Sequence, residues 1–347
     1  MVIGIIGAGL AGLVAGRELS KAGHEVTVLE KSRGFGGRMA TRYNTENPAQ
    51  KFDHGISSFH ATTPEFKAFV AELMEHDLVM RWGDHRWISD GQQSIRKDPE
   101  AASKPYFTAK GGMNQIGKYL SRWVDVKTNT LAGGLTYFGP RRSRKRAWMI
   151  NLTSSGVFEA DAVVIAVPAP QAYGLLQTAT DETETLRMIR LIDEIRYEKS
   201  FSLMVHYDGM EPPEWDSISF RNSRLKMIVN ENSKRTVHSG CSLVIQTASV
   251  FSDQLHSLKD KEKVTKEILK ALAEEMSSFS GQPNWSQLHF WRYSRALQTL
   301  DMPFMQVGSD DAPLAITGDY FIGNQLEDAY RSGLALAKNW IRKTTIR

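Results

Sequence analysis

The sequence predicts an α/β fold built round a nucleotide-binding βαβ unit. Three observations in its 347 residues carry that prediction. Residues 3–12 read Ile-Gly-Ile-Ile-Gly-Ala-Gly-Leu-Ala-Gly, which sets G-x-G-x-x-G at Gly7, Gly9 and Gly12 between a strand-like and a helix-like run. The next apolar run, Val26-Thr27-Val28-Leu29, closes on Glu30, at the spacing of a ribose-binding acid. Near the C-terminus, Ala315-Ile316-Thr317-Gly318-Asp319-Tyr320 ends a further apolar strand on Gly-Asp, ahead of a helix-like run from Leu334 to Ile341.

Each piece of the first unit has a physical task. Gly7 permits the tight turn out of the first strand, Gly9 lets a pyrophosphate approach bare backbone, and Gly12 lets the helix pack closely on the sheet. The helix begins there with free N–H groups and a positive dipole end, which suits a diphosphate. Glu30 accepts hydrogen bonds from a ribose diol. This unit alone leaves NAD and FAD open, because both use it. The next segment, Glu30-Lys31-Ser32-Arg33-Gly34-Phe35-Gly36-Gly37-Arg38-Met39, narrows the choice. Its Gly36-Gly37-Arg38 resembles the second phosphate-side motif of FAD enzymes in the amine-oxidase group.

The remaining elements follow in order. Pro64 to Met80 reads as an amphipathic helix and is followed by a turn region containing Trp and Gly. Strands are expected near Val124 to Val126 and over Ala162–Val167, with a hairpin between them whose turn is marked by Gly139-Pro140. A helix over Glu182–Ile195 precedes strands near Phe201–Tyr207, Lys226–Asn230 and Ser242–Thr247, and a helix from Lys261 to Met276 closes that block. The expected architecture is discontinuous. Residues 1–60, 106–176 and 290–347 would form the cofactor domain, and 61–105 with 177–289 the substrate domain.

Several further segments carry a resemblance. Asp53-His54-Gly55 followed by Phe59 is similar to an Asp-x-Gly-Ala-Gln-Tyr-Phe stretch, Gly111-Gly112-Met113 opens a helix, and Val163 to Gln171 is a buried strand with a Pro-rich exit. Leu243 to Thr247 and Trp291-Arg292-Tyr293 are similar to substrate-side strands, and Gly318-Asp319 with Glu327 to Gly333 to a closing cofactor motif. Over nearly its whole length the chain resembles the renalase-like FAD oxidoreductases of the amine-oxidase flavoprotein group. That resemblance implies a Rossmann-type FAD-binding domain with a second domain on an antiparallel sheet, the p-hydroxybenzoate-hydroxylase-like architecture. It implies FAD contacts at Gly7, Gly9, Leu10, Ala11, Gly12, Glu30, Lys31, Gly36, Gly37, Arg38, Asp53, Gly55, Leu131, Gly318, Asp319, Gln325 and Leu326. On the substrate side the candidates are Phe59, His60, Gln246, Trp291 and Tyr293, with no catalytic residue assigned beyond the flavin. Three positions depart from the family: Ser57-Ser58 replace Gln-Tyr, Gln246 replaces a histidine, and Asp328 replaces a glycine. A carboxylate at Asp328 would oppose a reduced, anionic flavin unless it turns outward.

Composition bounds the rest. A 41% apolar and 24% charged chain of this length is ordinary for a soluble two-domain enzyme. The single cysteine, Cys241, excludes an intrachain disulfide and lies far from the C-terminus, where some amine oxidases tether FAD. FAD is therefore expected to be non-covalent. No cluster has metal-ligand spacing, so no metal is expected. The N-terminal apolar run lacks a basic leader, and no run of about 20 apolar residues could cross a bilayer. The expectation is a cytoplasmic protein without a membrane partner. The net charge is +4, with one dense basic run, Arg141-Arg142-Ser143-Arg144-Lys145-Arg146. It reads as a solvated hairpin tip or as a site for an anionic partner. No aromatic residue interleaves it, so no nucleic acid is expected.

The expected reaction is hydride transfer from a small-molecule C–H to flavin N5, with O2 as acceptor and hydrogen peroxide as product. A mis-reduced dihydronicotinamide is the substrate class that the renalase resemblance implies. An amine or polyamine oxidase and a non-catalytic or regulatory flavoprotein are the alternatives.

Overall fold

The computed structural model describes residues 1–90, 94–139, 145–154, 156–179, 183–235 and 239–345. The chain opens with β1 (Val2–Ile6), α1 (Leu10–Lys21) and β2 (Glu25–Leu29). It continues through β3 (Thr41–Tyr43), β4 (Lys51–Asp53), α2 (Pro64–Glu75), β5 (Val79–Trp82), β6 (Arg86–Ser89), β7 (Ile95–Lys97) and β8 (Tyr106–Ala109). Next come α3 (Asn114–Leu120), β9 (Asp125–Lys127), β10 (Ala132–Tyr137), β11 (Trp148–Leu152), β12 (Val157–Ala160), β13 (Ala162–Ile165), α4 (Ala169–Leu176) and α5 (Thr183–Ile192). The chain then forms β14 (Tyr197–Tyr207), β15 (Ser217–Phe220), β16 (Leu225–Asn230), β17 (Cys241–Thr247), α6 (Ser249–Ser257), α7 (Lys261–Glu275) and β18 (Trp285–Ala296). It ends with β19 (Met305–Val307), β20 (Leu314–Ile316) and α8 (Leu326–Thr345).

Two compact units share these elements. The first comprises Met1–Met39, Asn114–Arg196 and Ala296–Arg347. Its sheet runs β19-β20-β13-β1-β2-β9, parallel throughout except at the β19 edge. Every residue of β1, β13 and β20 is buried, as a parallel sheet covered on both faces requires. Strand order reverses at β1, between β2 and β13, so a crevice opens at its carboxyl end. A small antiparallel sheet, β10-β11-β12, completes the unit. Helix α1 stops where Gly23, at φ 88, lets its own amide and that of His24 reach back to Ser20 and Leu19.

The second unit comprises Ala40–Met113 and Tyr197–Arg295. Its seven-stranded sheet runs β18-β14-β17-β16-β15-β6-β7 and is largely antiparallel. Alternation sorts its side chains. Leu203, Val205, Leu243 and Ile245 face α6 and α7, where they pack with Leu255, Ile268 and Leu272. The opposite face carries Ser202, Met204, Val244 and Gln246. On part of that face the β3–β4 ribbon lays Phe52, which packs with Met204, Val229 and Val244. Phe52 also stacks on Trp285 at 4.9 Å.

The units divide the chain differently from the expected boundaries. Residues 40–60 and 106–113 fall in the second unit, because β3 pairs only with β4 and β8 with β5 among the described residues. Residues 177–196 fall in the first, where the Thr178 hydroxyl accepts the Leu135 amide at 2.7 Å. Residues 290–295 remain with the second because β18 is unbroken from Trp285. The expected helix from Pro64 to Met80 ends at Glu75. There Asp77 adopts φ 56, and the amides of Asp77 and Leu78 bond to Met74 and Leu73, closing the helix and freeing β5. The expected turn region contains β6 and β7, and α8 starts eight residues before the expected Leu334. The hairpin flanks pair as expected, Tyr137 opposite Trp148. Its tip, including Pro140 to Arg144, lies outside the described residues, while Arg146 is paired with Asp161 at 2.8 Å. Among the described residues no helix is long and apolar enough to cross a membrane.

Candidate cofactor and substrate sites

The cofactor cradle lies at the carboxyl edge of the first unit's sheet. Gly7, at φ 106, turns the chain out of β1, and a Cβ there would meet the Ala166 carbonyl at 2.6 Å. A Cβ on Gly12 would overlap the Gly7 carbonyl and touch Ala166, so helix and sheet meet at bare backbone. Gly9 is different. A Cβ built on it meets nothing within 4 Å, and its φ of −74 suits any residue. Nothing among the described residues demands glycine there, and the bare backbone is open to the close approach of a ligand. The first α1 hydrogen bond runs from Leu13 to Gly9, and no side chain caps the helix. The amides of Leu10, Ala11 and Gly12 therefore face outward without intrahelical partners, as a diphosphate site requires.

Glu30 stands at the ribose position. Its carboxylate accepts the Ala8 amide at 2.9 Å and the Ser32 amide at 2.8 Å, one on each oxygen. Each oxygen keeps a second lone pair for a diol. Lys31 is exposed beside it, and the Glu30 carbonyl accepts the Thr130 amide at 2.8 Å, which brings the neighbouring, half-exposed Leu131 to the same edge. Gly36, at φ 99, donates its amide to Ala8 at 2.8 Å, and a Cβ on Gly37 would lie 3.3 Å from the Gly9 Cα. The glycine pair is thus packed backbone to backbone on the phosphate turn. Arg38 reaches Asp319 at 2.6 Å, joining this loop to the closing motif. The Gly318 amide is held by the Ser332 hydroxyl at 3.0 Å, which fixes the β20 exit against α8. Gln325 and Leu326 start that helix. The open backbone at Gly9, the outward amides and the buried acid fit FAD.

Asp328 also lies in the first turn of α8. Its carboxylate turns back and accepts the Gln325 amide at 2.9 Å, in the manner of the third residue of a capping box. Burial pushes its carboxyl above the ordinary value, only partly offset by that amide and by Arg331.

Asp53 is engaged within the second unit. Its side chain is fully buried in the second unit and is consumed by the protein itself. It accepts the Thr41 hydroxyl at 2.7 Å, the Met113 amide at 2.9 Å, Lys234 at 3.3 Å and Arg235. Glu231 completes a buried quartet, 2.9 Å from Lys234. Burial alone would raise the Asp53 carboxyl, but Lys234, Arg235 and the Met113 amide hold it below the usual range. Its carboxylate ties β4 to the turn after β16. Sequence reading missed the quartet because its partners lie some 180 residues apart.

On the substrate side the structure separates the candidates. Phe59 is core: it bridges Phe107 and packs edge-on to Phe66. The His60 ring lies over Tyr106, 3.5 Å between centroids. Trp291 and Tyr293 share one face of β18, with Arg292 exposed between them, as their alternation predicted. The Trp291 indole N–H donates to the His54 carbonyl at 2.9 Å, and Gln246 donates to the Gly55 carbonyl at 2.7 Å. Gly55 is thus a backbone anchor within this unit. Two residues not anticipated join Trp291. The His54 ring stacks on the indole at 5.3 Å, and His289 lies 4.6 Å from His54 and 4.4 Å from Trp291. The His54 Nδ1 is buried without a hydrogen bond. Burial, with His289 and Arg42 nearby, pushes His54 down to about 3; burial and Arg42 push His289 down to about 4. The alternation of Trp285, His289 and Trp291 on one strand was the available signal for His289.

Comparison with known proteins agrees with this geometry. A model of NAD(P)-binding Rossmann-like domains matches residues 5–73, and one of flavin containing amine oxidoreductases matches residues 66–339. The chain belongs to the flavin containing amine oxidoreductase family, and its cofactor is FAD. "Probable polyamine oxidase 4" of Arabidopsis thaliana is 33% identical over 107 residues, 31% of this chain and 20% of that protein. An L-amino-acid oxidase of Mus musculus is 57% identical over 37 residues, 11% of this chain and 6% of that protein. The chain thus covers only a small part of either relative. Among solved structures, a putative protoporphyrinogen oxidase from Exiguobacterium sp. 255-15 superposes with a TM-score of 0.71 at 11% identity, covering 99% of both chains. Wild-type putrescine oxidase bound to putrescine gives 0.71 at 13% identity, again over 99% of both. These likenesses are of fold.

Proposed function

We propose that the chain is a renalase-like oxidase that takes hydride from a mis-reduced dihydronicotinamide and passes the electrons to O2. The observation that carries this reading is the ring cluster in which partly exposed Trp291 and His289 pack on buried His54. When bound, FAD accepts the hydride equivalent and delivers two electrons to O2 as hydrogen peroxide. The chain supplies an uncharged ring cluster against which a planar ring can pack, with Trp291 fixed by its indole bond and Gln246 by its amide. Holding a substrate in register is a task worth about 7–11 kcal/mol of barrier.

Amine oxidation asks for something else. An alkylammonium must lose a proton before its C–H bond breaks, and imidazoles pushed down to about 3 and about 4 are poor bases for it. Alternation puts Glu198 on this sheet face, but Lys226 opposes it at 3.8 Å, so a polyamine finds little uncompensated negative charge there. A dihydropyridine needs no base, because loss of hydride restores its aromaticity. The family match over residues 66–339 favours amine oxidation as the second reading.

Peroxide release under air distinguishes the two. With 2- and 6-dihydronicotinamide dinucleotides, putrescine and L-leucine offered separately, one peroxide and one oxidised nicotinamide should form per dihydronicotinamide consumed. Peroxide from putrescine or L-leucine alone would replace this reading with the second.

A further inference from the structure

We propose that Asp328 denies a reduced flavin the positive potential of the α8 N-terminus, so that this chain holds its two-electron-reduced FAD neutral, with a proton on N1. The proposal needs only that FAD is bound, whatever the substrate.

The placement follows from helix packing. A Cβ on Gly333 would overlap the Ala11 carbonyl, so this point of α8 lies level with the phosphate-facing start of α1. Helix α8 begins seven residues earlier, at Leu326. At 1.5 Å per residue its first turn stands about 10 Å beyond the diphosphate level. Both helices start at the carboxyl edge of the sheet, where ligands of such folds lie. The Arg38–Asp319 pair stands in the same cradle. An FAD anchored at Gly9 and extending towards the α8 start would bring its isoalloxazine near the first turn of that helix.

A bare helix start presents about half a positive charge and favours an anion. Here that potential is already answered. The Asp328 carboxylate occupies the Gln325 amide in the first turn. The facing charges do not reverse this. Asp319 is taken by Arg38, and Arg331 stands 3.7 Å from Asp328 at the rim. The loop is shaped round the carboxylate: a Cβ on Gly323 would overlap its oxygen. Reduction then adds a hydride at N5 and draws one proton from solvent to N1, instead of leaving N1 anionic.

Two measurements on the FAD-loaded protein test this. In the unmodified chain at pH 7.5, the pH dependence of the midpoint potential should report two protons taken up per two electrons. One proton would overturn the proposal. Sulfite, which adds to N5 and leaves negative charge on the N1 side of the ring, is the second probe. Asp328→Gly and Asp328→Asn should each bind sulfite about tenfold more tightly than the unmodified chain. Unchanged sulfite affinity in the variants that retain FAD would also overturn it. If neither variant retains FAD, the proton count decides.

Discussion

Acid should loosen the second unit through His54. The folded chain holds this imidazole neutral down to about 3, whereas an unfolded histidine titrates at 6.5. Below 6.5 the unfolded chain therefore binds more protons, and stability falls as pH drops from 6.5 towards 3. The ceiling is 1.36 kcal/mol per pH unit, about 2 kcal/mol by pH 5 and about 5 kcal/mol by pH 3. His289 acts in the same direction but more weakly, since it is partly exposed and is pushed down only to about 4. The informative variant is His54→Phe, which keeps a flat ring against Trp291 and removes both the titration and the unpaired Nδ1. Urea unfolding of FAD-saturated protein would be followed by near-UV circular dichroism at pH 7.5 and pH 5.0. The unmodified chain should lose about 2 kcal/mol more than the variant between the two. Parallel losses, within about 0.5 kcal/mol, would show that His54 is not held neutral by the fold.

Three further outcomes are expected. Gly9→Val should fold normally, since the space over Gly9 is open, yet fail to retain FAD on gel filtration; retained flavin absorbance would move the diphosphate elsewhere. Glu30→Ala should weaken FAD by about 1–3 kcal/mol in an equilibrium fluorescence titration, as a buried charged acceptor is lost, and full occupancy on dilution would remove its ribose role. Arg235→Met should cost about 3–5 kcal/mol of stability by leaving Asp53 and Glu231 short of a buried counter-charge, with little change in the affinity of the folded fraction for FAD.

The sequence disclosed what is local. Gly7, Gly9, Gly12 and Glu30 lie within one βαβ unit, and their roles depend on spacing along a strand, a turn and a helix. Trp291 and Tyr293 were legible for the same reason, since strand alternation alone puts them on one face. The Asp53 quartet and the His54–His289 pair were hidden because their members meet only when β4 is laid against the sheet of β14 to β18. The burial of Phe59 and the packing of His60 on Tyr106 were hidden because a motif position does not say which way a side chain turns. The early end of α2 depends on Asp77 in a left-handed conformation, a role usually marked by glycine. Asp328 was visible as a departure, but its return to its own helix amide was not.

The most direct test of the central claim is anaerobic rapid mixing of the FAD-loaded protein with each candidate reductant while flavin absorbance is followed. Fast, complete bleaching is expected with 2- or 6-dihydronicotinamide dinucleotides, with oxidised nicotinamide formed one for one, and slow or no bleaching with putrescine, spermidine or L-leucine. Rapid bleaching by an amine, with none by any dihydronicotinamide, would contradict it.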